Sequence, residues 1–228
     1  FLQDFTSMPP HILLVTLPTL LIIFLLFQNP DFIRLQSNLN SFWFIYPQTF
    51  RILIEFILWL LYHYRVLPKQ MTFEGFNFDI LVGISAPAVA YYCFTKKTWS
   101  VKVALVWNII GVLLLLNIIC IAMLSAPYPF RYFMNEPVNR IAFSFPFVWL
   151  PSFVEPFAVL LHILSILQIL LITIHRATTL TTMCLLFLLQ AAINYRTRSL
   201  LQQTMWALSA VPVLPAITGQ TAGATGTH

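Results

Sequence analysis

The sequence predicts an all-α fold: a polytopic transmembrane helix bundle of about six spanning helices, bounded by five and seven. Three observations predict it. Hydrophobic residues make up 59% of the 228 and charged residues only 8%, against roughly 25% charged in an average soluble domain. No soluble interior hides that much apolar surface. The apolar residues also fall in runs long enough to cross roughly 30 Å of hydrocarbon at about 1.5 Å per residue. Aromatic residues reach 15%, with 21 phenylalanines, many near run ends where ring belts sit in the headgroup zone.

The first run covers 10–27, and Gln28-Asn29-Pro30-Asp31 closes it with turn chemistry. The second, 42–64, carries Arg51, Glu55 and His63 within it, and the loop 65–78 that follows contains Pro68, Glu74 and Gly75. The third run, 80–94, is short and rich in small residues; Gly83, Ala86 and Ala90 share a face that suits close helix packing in lipid. Asn77 or Asp79 is placed to cap its start. Lys96, Lys97 and Lys102 separate it from the fourth run, 103–124. Asn108 and Asn117 on that run face opposite ways, so each should bond a different neighbour and the helix should lie centrally.

The connection 125–151 is dense in proline and aromatic residues, as in Ala126-Pro127-Tyr128-Pro129-Phe130 and Phe143-Ser144-Phe145-Pro146-Phe147. Proline at that density breaks a straight helix, so the segment reads as interfacial or re-entrant. The fifth run is 152–174 and the sixth 180–194. Residues 1–198 thus read as one transmembrane domain. Residues 199–228 read as a C-terminal tail: a short extra membrane segment weakened by Gln202, Gln203, Pro212 and Pro215, then a flexible end. Cys93, Cys120 and Cys184 lie in apolar segments without metal spacing and read as buried free thiols.

The net charge of +5 does not mark a nucleic-acid binder, because the basic residues are scattered beside apolar runs with no cluster longer than Lys96-Lys97. They set topology instead. With six crossings, Arg34, Lys96, Lys97, Lys102 and Arg176 share a side, which the positive-inside rule makes cytoplasmic. The expected location is a bacterial inner membrane with the N-terminus outside. Asp4, Glu74, Asp79, Glu136 and Glu155 then lie in or beside outer loops, Glu55 sits in the outward half of its helix, and only Asp31 is inside.

Charge grouped beside a bilayer marks where chemistry would sit. Arg51, Glu55 and Tyr62 share one helical face, with His63 on its flank. Glu155 and His162 share another, about 10 Å apart along the axis, flanked by Ser152 and Ser165. With Glu74 and Asp79 these are the binding or proton-handling candidates. His63, His162, Glu155 and Asp79 are the metal-ligand candidates, since two imidazoles with carboxylates suit a divalent ion. No ligand motif, phosphate loop or nucleophile elbow occurs. Glu55 with His63 loosely echoes Glu155 with His162, as an inverted repeat would require.

The pattern Met71-Thr-Phe-Glu-Gly-x-Asn-Phe-Asp-Ile, followed by Ser125-Ala-Pro-x-Pro-Phe and Phe147-Val-Trp-Leu-Pro, resembles an uncharacterised family of bacterial multi-pass membrane proteins over roughly residues 10 to 170. The resemblance implies a membrane bundle and brings no activity with it. The leading expectation is small-molecule or ion binding and transport through an outward-facing polar pocket, and the chain leans away from being an enzyme. The alternatives are an exoplasmic metal-dependent hydrolase or transferase acting on a lipid-like substrate, and a structural subunit of a homo-oligomer or membrane complex.

Overall fold

The structure is a computed structural model and describes residues 2–7 and 9–209. It is helical, with no strand among the described residues. Two compact units divide at residue 174, the first running to Ile174 and the second beginning at His175.

The first unit opens with α1 (Leu13–Gln28) and α2 (Pro30–Asn38), which meet at 81°. Asn29 makes the bend: its Oδ1 accepts from the Asp31 and Phe32 amides, and Pro30 takes the first helical position, where no amide hydrogen is needed. The turn expected at 28–31 is therefore real, although a second helix rather than a loop follows it. A short α3 (Phe42–Ile45) and a 3₁₀ turn (Tyr46–Phe50) lead into α4 (Arg51–His63). Together Phe42–His63 are long and apolar enough to cross a membrane.

After the loop 64–78 come α5 (Asp79–Ala90), a wider turn to Thr95, and then α6 (Val101–Ser125). A coil over 126–149 and the long α7 (Glu155–Ser209) complete the order. By length and composition three helices among the described residues qualify as spans, Phe42–His63, Val101–Ser125 and Leu150–Arg198, or four if the bent α1–α2 pair is one span. That is fewer than six, for two reasons.

The third run fails by depth. Phe76 O accepts from Asn117 of α6 at 2.8 Å, and Ser85 Oγ accepts from Trp107 of α6 at 2.8 Å. Asp79 lies between these anchors, so α5 begins level with the middle of α6. The loop 64–78 fills the other half of that path, drawn inward because Gln70, Thr72 and Asn77 bury their amides and hydroxyl against protein partners. The sixth run fails for want of a break. Between Phe157 and Ser209 there is neither Pro nor Gly, and Thr181 and Thr182 return their hydroxyls to the carbonyls of Ala177 and Thr178. The helix runs through 174–180, where a turn was expected.

Helix α7 runs antiparallel to the segment 41–48. Ser41 donates to Gln168 at 2.7 Å and Gln48 to Ala158 O at 3.0 Å, so from 41 to 48 rising numbers meet falling numbers on α7, while Gln36 of α2 reaches back to Leu164 O at 3.1 Å. Phe44 packs among Leu160, Leu161 and Leu164 along this seam. Gly83 lets α5 lie directly on α4, since a methyl there would meet Ile52 at 2.9 Å. Ala86 and Ala90 are fully buried on the same face, as their small size suggests.

The 126–149 connection forms no spanning helix, as expected. It folds over the end of α6, where Asn139 takes Ser125 O and Ala122 O. Tyr128 and Phe143 close around Phe5 from the N-terminal segment, and Asn135 donates to Gln70 of the 64–78 loop. The N-terminal segment and both loops therefore occupy one end of the unit. At that end burial pushes the Tyr128 phenol up, while hydrogen bonds from Thr6 hold the Asp4 carboxyl below its ordinary value. Of the cysteines, Cys93 is buried; Cys120 and Cys184 are exposed, on helix faces turned away from the protein interior, contrary to expectation.

Candidate functional site

Arg51 is the centre of a buried polar row. It is 3% exposed, and it stands where α4, the start of α5 and α7 meet. One guanidinium nitrogen forms an ion pair with Asp79, and Nη1 lies 3.2 Å from His162 Nε2. His162 Nδ1 lies 2.9 Å from Asn108 Oδ1. Asn108 in turn donates to Ser165 Oγ at 2.9 Å and to Ala104 O at 2.7 Å.

The tautomer follows from this geometry. A guanidinium only donates, so Nε2 must accept and Nδ1 must carry the hydrogen it gives to Asn108. Both imidazole nitrogens are then engaged. Trp107 covers the ring at 5.3 Å between centroids, and Gly111 makes room for it, because a Cβ at that position would fall on the imidazole.

One turn along α4, Glu55 is 2% exposed. Its Oε1 accepts from Asn77 Nδ2 at 2.5 Å, and Asn77 also accepts from the Asp79 amide and donates to Met71 O. Asn77 thus supports the helix start from just outside it, while the Asp79 side chain, the other capping candidate, goes to Arg51 instead. Glu55 Oε2 is buried with no hydrogen-bond partner, as is Arg51 Nε.

Both residues line a cavity of about 90 Å³, together with Asp79 and Glu155. Its remaining wall is almost wholly aliphatic and aromatic, including Ile54, Leu58, Leu115 and Ile118. The cavity extends toward the end where the loops gather, reaching Asn139, whose Oδ1 is also buried and unpartnered. Charge does not balance there. Arg51 is committed to Asp79, and the carboxyl groups of Glu55 and Glu155 face an apolar space with no second fixed cation among the cavity's lining residues. In such surroundings the difference has to come from protons or from a bound cation.

Four sequence candidates, Arg51, Glu55, Asp79 and Glu155, are therefore brought to one cavity, and His162 is packed behind Arg51. The other three are elsewhere. Tyr62 and His63 sit at the far end of α4, twelve residues from Arg51 for His63, or about 18 Å of helix. The His63 ring meets the edge of Trp59 at 4.2 Å, and exposed Glu74 accepts from Trp59 Nε1 at 2.7 Å. Shared helical phase put Tyr62 with Glu55, but phase says nothing of depth, and seven residues separate them along the axis.

The metal set His63, His162, Glu155 and Asp79 is not assembled, and among the described residues no group of three or more His, Cys, Asp or Glu stands ready to hold a metal ion. The repeat expected from Glu55–His63 and Glu155–His162 ends at the two glutamates, since one histidine is exposed and the other fully buried. Sequence reasoning placed Asn108, Ser165 and Asn77 only as packing, flanking or capping residues. A polar side chain isolated in an apolar run was the available signal.

An apolar helical domain with a buried Arg–Asp–His–Asn row beside an acidic cavity defines the class. Residues 8–171 match a family described as a domain of unknown function (DUF8737), and the chain belongs to that family. The match ends just before the second unit begins. No curated protein and no solved structure matches this chain.

Proposed function

We propose that this chain is an integral membrane protein that binds or moves a small molecule or ion through the cavity lined by Glu55, Asp79 and Glu155. One observation carries the reading: Glu55 Oε2 is buried and unpartnered, and the residue lines an otherwise apolar cavity. A buried acceptor without a partner costs about 1–3 kcal/mol, more when charged, and a ligand that completes it removes that cost. The half-length α5, whose first residue joins the site level with the middle of α6, supports the same reading, because interrupted helices at mid-depth form many transporter sites.

In this proposal lipid covers the outward apolar side chains, such as Leu53, Ile84 and Leu113, each about 60% exposed. It takes the lower bound of the expected crossings: α1, Phe42–His63, α5 with its loop, α6, and α7 to Ile174. The membrane is assigned as a bacterial inner membrane, the lysines at 96–102 face the cytoplasm and the N-terminus faces out. A metal-dependent hydrolase lacks support in the placement of its candidate ligands. A purely structural subunit, alone or in a complex, leaves the unpartnered Glu55 oxygen without a purpose.

The test reconstitutes purified protein in liposomes, screens cations, anions and neutral small molecules for a rise in melting temperature, and measures flux of those that bind. Glu55→Gln, checked for native helicity, should abolish both responses. If every response survives in that variant, or if no compound stabilises the wild type, the pocket reading falls.

A further inference from the structure

We infer, building on the pocket reading above, that the ligand is a small alkylammonium ion, its nitrogen held by Glu55 and Glu155 and its alkyl group against the aliphatic wall. Sign, size and lining each narrow the choice. With Arg51 tied to Asp79 and His162, the cavity offers carboxyl oxygens and a single unpartnered guanidinium Nε. An anion would meet two carboxyls, whereas a cation completes the buried acceptor on Glu55.

A multivalent metal ion asks for at least three clustered ligands, and the described residues hold no such group. A nitrogen cation asks only for acceptors. The cavity measures about 90 Å³, smaller than the roughly 150 Å³ that accommodates benzene. The occupant is therefore small. Leu58, Leu115 and Ile118 give it an apolar half to touch, which a bare alkali ion would not use.

The same chemistry is presented by a free amine and by the amine of a lipid headgroup, so the experiment separates the sources. Full-length protein in phosphatidylcholine nanodiscs is titrated calorimetrically with n-butylammonium chloride, n-butanol and sodium butyrate. Butylammonium should bind about tenfold or more tightly than either isostere, and Glu55→Gln, shown to be folded by circular dichroism, should lose about tenfold or more. Repeating the titration with phosphatidylethanolamine in the disc assigns the source: competition points to the headgroup, unchanged binding to the free amine, and both keep the ligand class.

Butanol binding as well as the cation, butyrate binding better, or butylammonium binding that ignores Glu55→Gln each overturn the inference. If butanol or butyrate binds in a Glu55-dependent way, only the ligand class is wrong and the pocket reading stands. If no probe binds, the ligand class falls, and the pocket reading falls with it when the wider screen of cations, anions and neutral molecules is silent too.

Discussion

A methyl group at Gly111 would land on the imidazole of His162, so Gly111→Ala should push the ring off Arg51 and Asn108. Overpacking of this kind costs about 1–3 kcal/mol, read as a lower melting temperature in detergent. His162→Ala should restore much of that loss in the double variant, because it removes the atoms that clash; additive losses would show the contact is elsewhere. Arg51→Leu is the harsher change. It strands Asp79 in a buried site and should cost about 3–5 kcal/mol, whereas Arg51→Leu with Asp79→Asn should recover part of it. At this scale the sequence was half legible. The Arg51–Glu55 spacing named one face of α4 correctly, but Arg51 takes its carboxylate from Asp79, and a partner chosen across a loop leaves no trace in spacing.

The element with the largest burden is the loop 64–78, which descends beside α4 until Asn77 reaches Glu55. Asn77→Ala removes a donor to Glu55 and to Met71 O and an acceptor for the Asp79 amide. Amide exchange in 68–80 should rise by an order of magnitude or more, in keeping with lost hydrogen bonds of about 1 kcal/mol each, while α6 stays protected. Uniform exchange across both would sink this account. Helix existence was legible here from runs of apolar residues, and so was the Asn29-Pro30 turn. Depth was not: a run of fifteen apolar residues looks the same whether it starts at a surface or halfway in, and the buried amides that pull the 64–78 loop inward are ordinary loop residues in sequence. The expected break near 175–179 failed for the opposite reason, since threonines that look like turn formers satisfy themselves on the preceding helical turn.

For the molecule as a whole, the N-terminal segment and the loops 64–78 and 126–149 should label together. Single cysteines at Ser7, Lys69 and Glu136, in a background with the three native cysteines replaced, should all react with an impermeant maleimide from one face of the membrane, and a cysteine at Lys97 only from the other. Mixed labelling within the first three would break the proposed topology. Charge counting singled out Glu55, Asp79 and Glu155, which line the cavity, but put Asp79 beside an outer loop, whereas it lies level with the middle of α6; which acids share a cavity depended on packing that no linear rule records. The row from Arg51 through His162 to Asn108 adds a constraint on traffic. Its hydrogens all point one way, from a guanidinium that keeps its protons to an amide that takes none, so it works as an insulating wall rather than a wire. On the proposed reading, a charged ligand keeps to the glutamate side of that wall.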